Sequence, residues 1–492
     1  LSVTGGTERV KYYMSVGYMD QGGILRSEDW NYKRYNVRSN LSVEITKGLN
    51  VELGLSGRYD NRKRPYDADN LFRSAQMAIP TYSIYANDNP DYWGGVGDMA
   101  NPVHVSDSEY SGNEDRLRRE FNGSLALTWK FPWVKGLIAK ALVAYDYTNT
   151  EWKTWRRDLT EYTYDYANEE YVGKEINTAY LESKFENYEK PTYQFSLNYN
   201  NTFAKRHNIG ATFVWEMYND KKNWVTGTRD FAIGLIPDLD YGNDSNQKSS
   251  GKTQKTAHAG WVGRLNYDYG NRYLVEFNFR YDGTYKFQRG NRWGFFPGVS
   301  LGWRVSEEDF FKKLLPDMDN LKIRASYAKV GDEGDFDAFQ YLDGYTSHGS
   351  YIMGSGGVTS GMTTVGMANS WLTWYESKIM NVGFEVSYHR GLISMEFDWF
   401  RRNRSGLPAT RSGSLPTVFG ESMPQENLNS DINTGFEIAI GHKNKIGEFL
   451  YDISANFSTT RIKYDYVERA ASTNMYDNWR NNTNGRYKSI RW

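Results

Sequence analysis

None of the 492 residues is a cysteine, so neither disulfides nor thiolate metal sites hold this protein together. No window contains eighteen uninterrupted apolar residues, which excludes a transmembrane helix. Mean hydropathy is −0.73, low even for a water-soluble protein. An excess of one charge is missing too: 59 Lys and Arg stand against 60 Asp and Glu, and the signs are interleaved. Without a basic stripe there is no case for nucleic acid as a partner. GxGxxG, P-loop, HExxH, nucleophile-elbow and EF-hand patterns are all absent. Six histidines are scattered, and three of them (His207, His389, His442) fall beside tight turns. His104 lies near Ser106 and Asp107, but a catalytic triad is spatial and local spacing proves nothing, so it is read as a solvated loop residue. No catalytic residue is assigned, and the chain is not read as an enzyme.

What the chain has in quantity is aromatic side chains, 16% of all residues with 39 Tyr and 16 Trp. A disordered chain of such low hydropathy would lack them. Low hydropathy with many aromatics suits a β-barrel whose inner face and loops are wet and whose outer apolar band is narrow.

The clearest stretch runs from Arg272 to Phe311. Trp293, Phe295, Pro297, Val299, Leu301, Trp303 and Val305 fall on one face of a strand. Arg292, Gly294, Phe296, Gly298, Ser300, Gly302 and Arg304 fall on the other, because side chains alternate with period two. The preceding strand sets Tyr273, Val275, Phe277, Phe279 and Tyr281 against Arg272, Glu276, Asn278, Arg280 and Asp282. An apolar face opened and closed by tryptophan fits a membrane-spanning strand, with indoles at the two interfaces.

Sixteen such segments can be traced along the chain. Tight turns at Lys47-Gly48, Lys205-Arg206, Gly270-Asn271 and Arg390-Gly391 alternate with long polar loops. A short helical turn is expected within SEEDFFKKLLPDMDN, from Ser306. The expected fold is all-β, a transmembrane antiparallel up-and-down barrel with short turns facing the periplasm and long loops facing outside. Sixteen strands either close on themselves or belong to a larger barrel; plugged outer-membrane transporters have ~22 strands, leaving about six elsewhere. Leu1 stands in mid-strand without an initiating methionine, and Trp492 ends an asparagine-rich stretch. Residues 1–492 are therefore expected to be one barrel domain, incomplete at both ends, with no plug domain in this chain.

A family resemblance rests on five runs. RYDGTYKF (Arg280–Phe287), NRWGFFPGVSLGWRVSEEDFF (Asn291–Phe311) and LKIRASYAKVGDEG (Leu321–Gly334) lie at the centre. SVTGGTERVKYYMSVGYMDQGGI and RYNVRSNLSVEI lie near the start. Together they resemble the SusC/RagA family of TonB-dependent outer-membrane transporters of Bacteroidota. The resemblance implies uptake of a nutrient, an oligosaccharide or oligopeptide, across the bacterial outer membrane. It also implies a SusD-like surface lipoprotein as lid, and TonB-ExbB-ExbD acting through an N-terminal region outside this chain. A dimer of transporter–lipoprotein pairs would follow, embedded in outer-membrane lipid. At Asp332-Glu333 the sequence departs from the family's usual asparagine-containing pattern.

Candidate binding residues come from the long loops. Tyr82, Tyr85, Tyr92 and Trp93 lie in one, and Tyr162 and Tyr164 in another. Aromatic faces with polar neighbours hold sugars and peptides, and they also pack loop against loop. Trp152, Trp155, Trp371 and Trp374 stand near strand ends, where an aromatic girdle is the better reading. Asp332, Glu333, Asp335 and Asp337 gather at a loop start. Such oxygen-rich loops can take Ca2+, although no defined ligand spacing is present; otherwise no metal or cofactor is assigned. Inward charges (Arg272, Glu276, Arg280, Arg292, Arg304, Lys322, Arg324, Glu385, Glu396, Asp398, Glu437) are too mixed for an anion pore. Rival readings are a passive porin, an adhesin or receptor, and a barrel enzyme.

Overall fold

The computed structural model describes residues 1–97, 99–232, 236–353, 357–411 and 423–488. Strands β1 (Ser2–Gly6), β2 (Val10–Gly22), β3 (Asn31–Thr46) and β4 (Leu49–Pro65) come first, followed by helices α1 (Ala68–Met77), α2 (Pro102–Val105) and α3 (Ser108–Ser111). Then come β5 (Gly112–Lys130), β6 (Leu137–Arg156), β7 (Leu159–Asp165), β8 (Glu170–Asn177), β9 (Tyr180–Phe203) and β10 (His207–Asp230). β11 (Lys248–Tyr269), β12 (Tyr273–Thr284) and β13 (Trp293–Arg304) lead to helix α4 (Asp309–Leu314) and β14 (Met318–Asp332). The chain continues with β15 (Tyr345–Met353), β16 (Gly357–Thr364), β17 (Tyr375–Tyr388), β18 (Ile393–Thr410), β19 (Gln425–Ile446), β20 (Phe449–Tyr466) and helix α5 (Met475–Asn481).

Sixteen strands form one sheet in chain order, skipping only β7–β8 and β15–β16, which pair as separate hairpins. This is the expected all-β, up-and-down order. Two compact units divide the chain: Leu1–Trp129, Ala141–Tyr193 and Tyr218–Thr256 form one, and Lys130–Lys140, Gln194–Met217 and Ala257–Trp492 the other.

Registers confirm the expected faces. Tyr273 pairs with Trp303, Val275 with Leu301, Phe277 with Val299 and Tyr281 with Phe295, all on the apolar side. Glu276 pairs with Ser300 and Asn278 with Gly298 on the polar side. Along β13 the apolar face is exposed, from Trp293 through Leu301 to Trp303, whereas Phe296 on the other face is buried. A water-soluble protein would hide such a face; here it has no protein cover. Pro297 cannot donate to a ladder, and the β13–β14 register runs only from Gly298 to Arg304.

Short connections take the residues their geometry needs. Gly270 and Asn271 both have positive φ (56° and 64°), and with Arg272 they make the three-residue link between the paired Tyr269 and Tyr273. The SEEDFF segment turns after Arg304 and forms α4, as its sequence predicts.

Several strands are longer than their alternating apolar stretches. β9 starts at Tyr180, β10 runs to Asp230, and β11 begins at Lys248. Past the lipid band both faces of a strand are wet, so apolar alternation fades while backbone pairing continues. The polar excursion after β4 holds three helices, and the two other long loops hold the hairpins β7–β8 and β15–β16. Residues 412–422 of the proline-containing loop lie outside those described.

Candidate functional site

In the first unit, the α1–α3 segment and the β7–β8 hairpin fold onto each other. Tyr162 N–H donates to the Trp93 carbonyl at 2.7 Å, and Gly95 N–H donates to the Tyr162 carbonyl at 3.0 Å. These bonds bring four of the six predicted aromatics into one cluster. Tyr85 lies 4.9 Å from Trp93, and Tyr92 lies 4.9 Å from Tyr162, edge to face. Tyr171, not predicted, stacks on Tyr92 at 3.9 Å and also meets Tyr164, so the hairpin joins the group. Tyr82 alone among the six is exposed. The hairpin that carries Tyr171 was readable in sequence: YTYDYANEEYV alternates about a turn.

Beneath the rings sits a polar centre that sequence reasoning missed. His104, expected in solvent, is 4% exposed and stacks on Trp93 at 4.4 Å. Its Nδ1 lies 3.6 Å from Glu161 Oε1, itself 1% exposed. Glu161 Oε1 accepts the Asn101 N–H at 2.6 Å, while Asn101 Nδ2 donates to the Ile84 and Gly94 carbonyls. A carboxylate buried this way adds a cross-link between two loops whose backbones pair at the isolated Gly94–Tyr162 bridge. Nearby, Asp165 in the β7–β8 turn accepts the Ala167 N–H, which holds its carboxyl below the usual range. A cavity of about 330 Å³ opens beside the cluster, lined by Tyr66, Asn70, Arg73, Met99 and Asn177 among others.

Two of the expected girdle tryptophans are interior residues instead. Trp155 is buried against Ala179, Leu181 and Phe231. Trp374 donates its Nε1–H to the Arg292 carbonyl at 3.0 Å and packs on Phe287 and Phe296. Both stand where strands outrun the membrane and loops need apolar cores of their own. Trp371 is exposed, and Trp152 carries the Lys184 ammonium over its ring at 4.8 Å.

The acidic group after β14 disperses into separate contacts. Asp332 accepts from the Tyr375 hydroxyl and the Gly334 N–H, and Glu333 faces His258 at 3.5 Å. Among the described residues no three His, Cys, Asp or Glu side chains gather as a metal would require.

On the polar face of the sheet, mixed charge resolves into cross-strand pairs. Arg324 on β14 reaches Glu385 on β17 and both Glu396 and Asp398 on β18, and Lys322 adds a bond to Glu385 at 3.2 Å. A cavity of about 1090 Å³ is lined on this face by Asn200, Asn208, Asn266, Ser300 and Asn381. Amides and paired charges form a surface that hydrogen-bonds without a net field, suited to a wet interior.

An exposed apolar face, a polar opposite face and tight turns alternating with longer connections, three of them folded, define the wall of an outer-membrane β-barrel. Residues 53–490 match the TonB dependent receptor-like, beta-barrel family, and the chain belongs to it. TonB-dependent receptor SusC of Bacteroides thetaiotaomicron is 24% identical, with 93% of this chain and 46% of the relative covered. TonB-dependent receptor P39 of Formosa agariphila is 26% identical, covering 93% and 42%. The chain thus spans less than half the length of these relatives. Among solved structures, the RagAB peptide importer in its open-open state superposes with a TM-score of 0.78 at 19% identity, covering 95% of this chain and 50% of that one. The ferripyoverdine receptor of Pseudomonas aeruginosa gives 0.51 at 12% identity, covering 94% and 54%. At these identities the structures speak for the fold alone. The family is one of receptors and transporters, and nothing in the site points to catalysis.

Proposed function

We propose that this chain is the barrel wall of an active importer. It takes up an oligosaccharide or oligopeptide under a SusD-like surface lipoprotein, driven by TonB-ExbB-ExbD. The observation that carries this is the loop cluster of Tyr82, Tyr85, Tyr92, Trp93, Tyr162 and Tyr164, a folded aromatic surface built on barrel strands. Most of its rings hold each other in place, so the ligand-facing part is the exposed rim at Tyr82. Relatives named as TonB-dependent receptors, one of them SusC, support the coupling, and the RagAB importer supports a peptide as one class of cargo. The relatives' greater length leaves room for a plug and for about six further strands, bringing the barrel to ~22. Those strands would satisfy the outer edges of β1 and β20, since each unpaired backbone group in lipid costs several kcal/mol.

Purifying the full-length protein from its native outer membrane tests this reading. A lipoprotein should co-purify in stoichiometric amount, and uptake of labelled oligosaccharide or peptide pools should vanish without TonB. Steady conductance in a planar bilayer, with uptake indifferent to TonB, would make it a passive channel.

A further inference from the structure

The link between β13 and β14 is fastened to the lipid-facing side of the wall. Trp303 and Tyr273, neighbours on the exposed apolar face, mark its short-turn end. Trp303 Nε1–H donates to Glu308 Oε1 at 3.2 Å, and Arg272 reaches Glu308 and Asp309 at 3.3 and 3.4 Å. Val305, Ser306 and Glu308 are buried by this docking. The link is therefore held against the outer wall rather than hanging in the periplasm.

From that anchored base, α4 presents bare apolar surface. Phe310 is 59% exposed and Leu314 72%, with Lys312 and Lys313 between them. Of the acids here, Glu307 pairs with Arg304 and Lys312, Glu308 and Asp309 pair with Arg272, and Asp317 faces His389 at 3.8 Å. Lys313 is left with no ion pair among the described residues. Across β12, the β9–β10 turn adds Lys205 and Arg206, likewise without ion pairs, and Gly270 N–H donates to the Arg206 carbonyl. Large apolar side chains beside uncompensated cations, continuous with a lipid-facing band, form the pattern of a segment lying in a membrane interface.

We propose that residues 305–317 are an interfacial foot that seats Phe310 and Leu314 at the acyl boundary of the periplasmic leaflet. Lys313 there, with Lys205 and Arg206 of the neighbouring turn, selects anionic phospholipid headgroups, the charge-complementary partner for these unpaired cations. The foot fixes the depth and tilt of the β13–β14 hairpin, a role separate from cargo binding in the outer loops.

Residues 1–492 contain no cysteine, so with any cysteine elsewhere in the full-length protein replaced by serine, one introduced thiol reports its own surroundings. The full-length protein carrying Leu314→Cys is labelled with bimane and placed in phosphatidylethanolamine vesicles. Nitroxide-labelled phosphatidylglycerol or phosphatidylcholine is then added. Quenching by the glycerol lipid should exceed that by the choline lipid about twofold or more, as expected for unpaired cations near an anionic surface. The preference should disappear in Lys205→Gln/Arg206→Gln/Lys313→Gln while quenching itself persists, and Asn271→Cys in the neighbouring turn should show weaker quenching. No lipid quenching at position 314 would overturn the foot and leave a protein partner as the cover. Equal quenching by both lipids would overturn the anionic selectivity.

Discussion

Phe296 on β13 occupies the place that a side chain at Gly331 on β14 would need. A Cβ built on Gly331 would lie 1.9 Å from the Phe296 ring. The ring is confined on its other side by Trp374 at 5.4 Å, and the β13–β14 ladder stops at Gly298, so the two strands part around it.

Gly331→Ala should therefore destabilise the barrel by about 1–3 kcal/mol, the usual cost of overfilling a packed site. Heat-modifiability on gels would read this as a lower unfolding temperature. Pairing it with Phe296→Leu should recover most of the loss; an unaltered Gly331→Ala protein would show that the ring moves freely.

Asp431 is 1% exposed and takes both Arg404 nitrogens, at 2.8 and 2.6 Å, together with the Lys488 ammonium. Removing the acid strands a partly buried guanidinium, so Asp431→Ala should cost roughly 3 kcal/mol. Asp431→Leu combined with Arg404→Met should be markedly milder than Asp431→Ala in denaturant unfolding.

Tyr92 and Tyr171 stack at 3.9 Å with planes 5° apart. A double-mutant cycle to alanine should give a coupling of about 0.5–1.5 kcal/mol, the range for aromatic pairs beyond area burial. Tyr82→Ala should leave stability within about 0.5 kcal/mol, as exposed sites do, yet weaken cargo binding. If Tyr82→Ala binds cargo normally, the ligand surface lies elsewhere.

Glu161→Ala would leave the Asn101 N–H without its acceptor, a loss of about 1–3 kcal/mol for a buried donor. Because the bond joins loops rather than barrel strands, the effect should be local. Hydrogen exchange in residues 99–105 and 159–177 should accelerate while the unfolding temperature of the barrel holds.

Lys312 donates to Glu307 at 2.8 Å and holds that carboxyl below the usual glutamate range; hydrogen bonds from Tyr273 and Trp303 do the same for Glu308. Both folded-state values are depressed, so their contribution is complete above the ordinary glutamate pKa and is lost as pH falls through the lowered ones. Protection factors across residues 305–315, which remove the intrinsic pH dependence of amide exchange, should be flat above about pH 5 and fall below about pH 4, given an unfolded glutamate near 4.3. Glu307→Gln should flatten part of that fall.

Alternation alone determined the faces of Tyr273–Tyr281 and Trp293–Trp303, because lipid on one side and water on the other impose period two; Val305, expected on the same face, lies past the end of β13 and is buried. It also determined the sixteen-strand order, since tight turns force consecutive strands to be neighbours. Those constraints are local, and local constraints are legible in a chain. Outside the membrane the legibility ended. Trp155 and Trp374 were placed in a girdle by their nearness to strand ends, yet they fill loop cores formed with Phe231 and Phe287, residues far away in sequence. The buried approach of His104 to Glu161 spans 57 positions and depends on how two loops cross. No periodicity encodes that meeting; only the tertiary structure brings its parts together.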